Sequence, residues 1–350
     1  MRSHIRRIIA GVPAFVLVVL FAVAGSLHAA GSGEEGPLEE VVIGFQAIPN
    51  GEIVAKNLGW HEEAFGVPVR WVQFNSGSEL NAAVAAGSVH LGLGGSSTTV
   101  AAIAQGVPAQ VIWIYDIIGD NEALVVRAGE GIDSMEDLVG RRVAAPFGAT
   151  THYHLLVALE LFGVDPNAVT IMDLSPSDML AAWQRGDIDA GFVWEPTLAA
   201  MLELDGEVLI SSRTIAEEGF LTGDIGIVYE PFSEAHPEVV TTYLETQIRA
   251  VEFIRSDPEA AAAAVAAEFG LSQEEALRQM STLVFLDGNE QLGPEYLGTS
   301  QEAGALADVF VATAEFLESQ GTIRAAPDID VFEEAINPRF LEGAVDARSQ

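Results

Sequence analysis

Two short stretches of the chain combine glycine with consecutive hydroxyl side chains at the point where an apolar helical pattern begins. One is Gly94-Gly95-Ser96-Ser97-Thr98-Thr99; the other is Phe147-Gly148-Ala149-Thr150-Thr151. Glycine lets the backbone approach a ligand closely. The first N–H groups of a helix have no partner inside it, and the helix dipole favours negative charge there. Two such corners facing each other would hold a small anion with neutral donors, among them the hydroxyls of Ser96, Ser97, Thr150 and Thr151. Ordinary N-capping is the competing reading of either corner alone. No G-x-x-x-x-G-K-[ST] pattern follows a strand, which argues against a nucleotide phosphate.

His152-Tyr153-His154 adjoins the second corner and raises the question of a metal. Alternate residues on a helix point about 200° apart, so the two histidines cannot easily share one ion. No metal site or cofactor is expected. Instead His152 or Tyr153 should reach the ligand, with His154 capping or packing. Asp224, in LTGDIGIVYE, and Glu122, in GDNEALVV, stand where polar segments enter strands. Each is either a solvated acid or an acceptor for a ligand ammonium. Trp194 ends the strand-like GFVW and is either a wall over an alkyl chain or a core side chain. No nucleophile–base pair stands out, so no catalytic residue is assigned.

The elements that must position these residues alternate. Strand-like runs (VVIGFQ, VPVRWVQF, VHLGLGG, PAQVIWIY, EALVVRA) and helical runs succeed one another from residue 41 onward. The same theme returns in RRVAAPF, THYHLLVALELFG, VTIMDL, SDMLAAWQRG and IDAGFVW, and the last third is mostly helical. This pattern predicts parallel sheets flanked by helices. SELNAAVAAGSVHLG, from Ser78, is matched without a gap by SDMLAAWQRGDIDAG, from Ser177, 99 residues later. Each copy reads as a serine-capped helix, a glycine stop and a strand, so two similar α/β units are expected. Ligands of open parallel sheets bind beyond the carboxyl ends of the strands. That places GGSSTT, FGATTHY and VWEPT around a shared cleft.

Composition narrows the partners. The 350 residues include 51 acidic against 16 basic, for a formal charge of -35, and Lys56 is the only lysine. Nucleic acid and anionic membranes need a basic footprint and are excluded as partners. An acidic, lysine-poor surface suits high salt, where self-repulsion is screened. There is no cysteine, hence no disulfide, no thiolate site and no lipid-modified cysteine. Arg2, Arg6 and Arg7, an apolar run from Ile8 to about Gly25 and the small residues of SLHAAGSG have the three-part grammar of an export signal. Residues 1–30 are read as that signal, cleaved rather than kept as a membrane tether, and 31–40 as a flexible acidic leader.

PFGATTHYHLLVALELFGV, AAWQRGDIDAGFVWEP, GDNEALVV and FLTGDIGIVY resemble the periplasmic taurine-binding proteins. Those are the substrate-binding components of taurine importers, in the sulfonate and nitrate group of ABC-transporter binding proteins. The similarity spans about residues 41 to 335, and TTHY with AWQRGDIDA is its most specific part. It implies a two-lobed α/β fold of the type II periplasmic-binding-protein class, with a two-segment hinge. Lobe 1 would take residues 41–125 plus 223–340, lobe 2 residues 126–222, and 341–350 would form a disordered tail. It also implies an extracytoplasmic, monomeric protein that delivers taurine to an ABC permease and its ATPase. The sulfonate would meet Ser96, Ser97, Thr150, Thr151 and Gln46, with His152 nearby. The ammonium would meet Asp224 first and Glu122 second, and Trp194 would cover the ethylene bridge. IPNG after Gln46, TT after GGSS and Glu195 depart from the family pattern. Another alkanesulfonate, nitrate or a small anion is the alternative ligand. An enzyme of the thiamine-pyrimidine-synthase type would need a different histidine-rich site and a cytoplasmic address. A dipyrromethane-carrying deaminase would need a cysteine.

Overall fold

Ten strands form two five-stranded sheets in a computed structural model that describes residues 38–348. The expected signal and most of the acidic leader lie outside the described residues. In chain order the strands are β1 (Val41–Phe45), β2 (Val69–Gln73), β3 (Leu91–Gly95), β4 (Ala109–Ile117) and β5 (Glu122–Arg127). They continue with β6 (Arg142–Ala145), β7 (Thr170–Asp173), β8 (Ala190–Trp194), β9 (Gly206–Ser211) and β10 (Gly223–Tyr229). The first sheet runs β2-β1-β3-β10-β4 and the second β7-β6-β8-β5-β9. Central strands such as VVIGF and AGFVW are buried along their whole length. The edge strands VRWVQ and TIMD are half-exposed, as expected where helices cover both faces of the middle only.

Both sheets are mixed rather than purely parallel. Within each, three strands pair in parallel (β2, β1 and β3; β7, β6 and β8). The fourth runs antiparallel to both of its neighbours: β10 lies between β3 and β4, and β5 between β8 and β9. β5 and β10 are the strands that follow the two crossings between lobes. Because β5 already belongs to the second sheet, lobe 2 begins before Glu122, earlier than the boundary after residue 125 read from the sequence. The crossing segments touch: the Ile118 N–H donates to the Thr222 carbonyl at 3.1 Å.

The 99-residue repeat is the same helix–strand unit in each sheet, helix Gly77–Ala85 with β3 and helix Pro176–Arg185 with β8. The caps sit two residues earlier than read. Ser76 accepts from Glu79 N and Ser175 from Asp178 N, both at 3.3 Å. The helices stop before Gly87 and Gly186, with φ of 66° and 75°. Equivalent side chains press on equivalent glycines. A Cβ on Gly92 would lie 2.7 Å from Leu80 Cδ1, and one on Gly191 2.6 Å from Met179 Sδ, so only glycine admits the helix at that depth.

The C-terminal helices pack mainly on the first lobe. Helix Arg339–Arg348 buries Phe340, Leu341 and Ala344 and packs against helix Pro237–Ser256. A disordered tail from 341 was expected; the apolar spacing of Phe340, Leu341 and Ala344 puts one stripe on a ready-made helical surface.

Candidate ligand-binding site

The strand ends of the two sheets enclose a small cavity. It is lined by Gln46, Ile48, Gly77, Gly95 and Thr98 from the first lobe and by Glu122, Ala149, Thr150 and Trp194 from the second, with Asp224 at the start of β10. About 270 Å³ there is not filled by protein atoms, counting its opening to solvent. No lysine or arginine lines it.

Two helices begin at this cavity, Ser96–Ala104 after β3 and Thr150–Leu161 after β6. Their N-cap residues, Gly95 and Ala149, both line the cavity and neither provides a side-chain cap. The orphan N–H groups and the positive ends of both dipoles are therefore available to an anion. These corners are not equivalent in the repeat, since β6 corresponds to β1 and not to β3; they meet across the cleft. Ser97 Oγ donates to the Gly148 carbonyl at 2.9 Å, joining the two lobes. Gly95 and Thr150 touch so closely that a Cβ on Gly95 would fall 2.8 Å from Thr150 Cγ2. Thr150 is β-branched, buried and tied to Glu122, so it cannot give way freely. Gly95→Ala is expected to hold the lobes apart and weaken ligand binding about tenfold, as overpacking costs roughly 1–3 kcal/mol. Calorimetry with small-angle scattering checks it, and a normal affinity with a normal closed shape would contradict the fit described here.

Acids occupy the other wall. Glu122 opens β5 opposite Trp194, and Asp224 lies in β10 opposite Gly95. Gly95 and Trp194 are themselves 99 residues apart, so the two acids are counterparts in the pseudo-symmetric lobes. Glu122 accepts from Thr150 Oγ1 at 2.6 Å and lies 3.2 Å from Ser212 Oγ. Ser212 in turn lies 2.7 Å from His154 Nδ1, whose Nε2 donates to the Phe220 carbonyl at 2.9 Å. Burial pushes the Glu122 carboxyl up to about 8, the Asp224 charge adding to it. Burial likewise lifts Asp224 to about 7. Asp224 shares a hydrogen bond with a third acid, Asp116, itself raised by burial and by Asp224. Asn50, the cap of helix Gly51–Asn57, donates Nδ2 to Asp116 at 3.2 Å. Asp116 Oδ1 is buried with no partner. Three buried carboxyls without a basic neighbour at the cavity form a site that a cation can discharge.

The sequence-assigned residues divide. Gln46, Glu122, Thr150, Trp194 and Asp224 line the cavity. Ser96 and Ser97 are turned to structural partners: Ser96 Oγ accepts from Gly223 N at 3.4 Å, and Ser97 bonds Gly148. Thr151 Oγ1 is buried without a partner and does not line the cavity. His152, expected at the ligand, stacks on Phe147 at 4.5 Å and accepts from Gly148 N at 3.3 Å. Tyr153 is buried edge-on against Phe316. Glu195 points away from the cavity, accepting from Ala199 N at 2.9 Å and from Arg278 Nη2 at 2.7 Å. Reading the sequence missed Ile48, Thr98 and Asp116. The signal for Asp116 was an acid closing the apolar run QVIWIYD.

A family model described as NMT1/THI5 like matches residues 49–261, more than half of the chain. The chain belongs to that family. It is 34% identical over 311 residues to the taurine-binding periplasmic protein of Escherichia coli (strain K12), covering 86% of this chain and 92% of that one. It is 30% identical to a putative aliphatic sulfonates-binding protein of Bacillus subtilis (strain 168), over 67% and 71% of the two chains. Its fold matches that of the alkanesulfonate-binding protein SsuA from Xanthomonas axonopodis pv. citri, bound to MOPS, with a TM-score of 0.70, 21% identity and coverage of 86% and 99%. The desulfurization enzyme DSZB also shares the fold, with a TM-score of 0.60, 16% identity and coverage of 89% and 100%. The type II periplasmic-binding-protein architecture and the resemblance to the taurine-binding group both hold.

Proposed function

We propose that this protein is the extracytoplasmic substrate-binding component of an ABC importer and that its ligand is taurine, 2-aminoethanesulfonate. The observation that carries the reading is a single small cavity onto which two uncapped helix N-termini and two buried acids converge, with no basic side chain. A sulfonate has three acceptor oxygens for the N–H groups of the Ser96 and Thr150 helices and for Gln46. An ammonium two carbons away gives Asp224, and then Glu122, the counter-charge they lack. Trp194 covers the ethylene bridge. The named relatives bind taurine or aliphatic sulfonates, which supports the same class here. A plain alkanesulfonate is the second reading, but it would leave the acids without a cation. The protein acts by binding, without catalysis, and hands its ligand to a permease and ATPase; export follows from the N-terminal signal.

A thermal-shift panel tests the ligand. Taurine at a hundred times its Kd should raise the melting temperature by about 5 °C, since mass action adds about 2.7 kcal/mol there. Ethanesulfonate and nitrate, lacking the ammonium, and β-alanine, lacking the sulfonate, should shift it far less. An equal response to ethanesulfonate would overturn taurine in favour of an alkanesulfonate.

A further inference from the structure

Asp116 lies behind the acid assigned to the ligand's ammonium. It pairs in register with Asp224 across the antiparallel strands β4 and β10. Side chains paired in this way leave the sheet on one face, about 5 Å apart at Cβ. Asp224 lines the cavity, whereas Asp116 is completely buried and does not. Two buried carboxyls this close resist ionising together, so the pair shares a proton over much of the pH range. Which acid holds it is fixed by Asn50.

Asn50 belongs to IPNG, one of the stretches that departs from the family pattern. Its side-chain oxygen caps helix Gly51–Asn57 by accepting from Glu52 N at 3.2 Å. The amide is thereby oriented: its nitrogen, not its oxygen, faces Asp116 and donates to Oδ2 at 3.2 Å. Oδ2 is therefore an acceptor. Oδ1 is buried without a protein donor. In an ionised Asp116 it would leave charge buried and unpaired. As an O–H it needs an acceptor, and the Asp224 carboxyl, joined to Asp116 by a hydrogen bond, is one. Burial raises both acids; the Asp224 charge and the bond between them raise Asp116 further, and the same bond lowers Asp224. Other titratable groups around Asp116 include Glu122 at the start of β5 and Tyr115, the preceding residue of β4, whose hydroxyl donates to Glu52 at 3.3 Å. None of these is basic.

We propose that Asp116 is a positioning residue for the cation site: held by Asn50, it keeps its proton while the ligand is bound and donates it to Asp224, so that Asp224 alone of the pair carries charge and offers its free oxygen to the ammonium. The inference rests on the aminosulfonate reading above and adds how two adjacent acids present a single charge to the ligand.

The test is calorimetry of 2-aminoethanesulfonate binding to the full chain across the pH range in which Asp224 titrates. Asp116→Asn reproduces the protonated acid, its carbonyl accepting from Asn50 and its amide donating to Asp224. It should bind about as tightly as the wild type, with the same rise of affinity with pH. Asp116→Ala removes the donor. Its affinity at neutral pH should fall about tenfold, and the rise should move up by about one pH unit, because the charged form of Asp224 loses a hydrogen bond. Asn50→Ser keeps a helix cap but loses the amide, and it should move the rise the same way by less. A loss in Asp116→Asn as large as that expected of Asp224→Asn would make Asp116 a charge that the ligand uses, and overturns the assignment. A pH profile unmoved in Asp116→Ala, or in Asn50→Ser where the alanine variant does not fold, overturns it too. Either result leaves taurine binding by the wild type standing. A wild type that does not bind 2-aminoethanesulfonate fails at the aminosulfonate reading itself and removes this inference with it.

Discussion

Asp224→Asn weakens taurine binding by well over tenfold while leaving the ligand-free protein as stable as the wild type or more so. A charge-assisted hydrogen bond contributes about 1.5–3 kcal/mol, and each 1.4 kcal/mol is a factor of ten. Asn keeps the shape of Asp, and its amide can donate to the Asp116 carboxyl that now shares a hydrogen bond with Asp224. The substitution thus removes a like-charge neighbour from Asp116 and the counter-charge from the ligand at once. Folding and binding should move in opposite directions, which a general loss of structure would not produce. Paired measurements of Kd by calorimetry and of melting temperature without ligand decide it. An unchanged Kd refutes the assignment of the ammonium to Asp224.

The second large effect is on pH. Burial lifts Asp224 to about 7 and Glu122 to about 8 in the ligand-free protein, so both hold protons at pH 6. An ammonium pairs with carboxylates, and those protons must leave when it binds. Affinity should therefore rise from pH 6 to about pH 8, by up to about tenfold per pH unit for each proton released, and then level off. Ligand-free stability runs the other way. Each acid binds its proton more tightly folded than unfolded, so the stability it contributes is complete below the ordinary values of 3.8 and 4.5 and is lost as pH climbs through about 7 and about 8. The other titratable groups facing this cluster include Asp116, which shares the behaviour of Asp224, Tyr115, raised by burial and so neutral throughout, and His154, lowered by burial to about 4 and so neutral throughout. Calorimetry in buffers of different ionisation enthalpy should detect proton release on binding at pH 7. A pH-independent affinity with no released proton would show that the acids do not receive the ligand's cation.

Much of the architecture could be read from particular residues. The repeat starting at Ser78 and Ser177 located the equivalent helix–strand units, because a helix pressed on a sheet needs the same small residues and the same terminal glycine in both lobes. The antiparallel strands were not legible: β5 and β10 have the apolar patterning of any buried strand, and their direction depends on which lobe the chain has just left. Asp224, Glu122 and Trp194 could be placed at the cavity they line because the ends of strands are recognisable in sequence. Side-chain direction was not legible in the same way. Ser96, Ser97 and His152 sit at the right corner but turn to backbone or to Phe147. Asp116 looks in sequence like any acid that ends a strand, and its meaning appears only when β10 brings Asp224 beside it.

The placement of β10 also governs the order in which the molecule can be completed. β3 and β4 are joined in the first sheet only through β10, whose residues emerge from the ribosome about a hundred positions after β4 ends. Until then the two strands present open edges toward each other, and the leading half of the nascent polypeptide has no finished sheet.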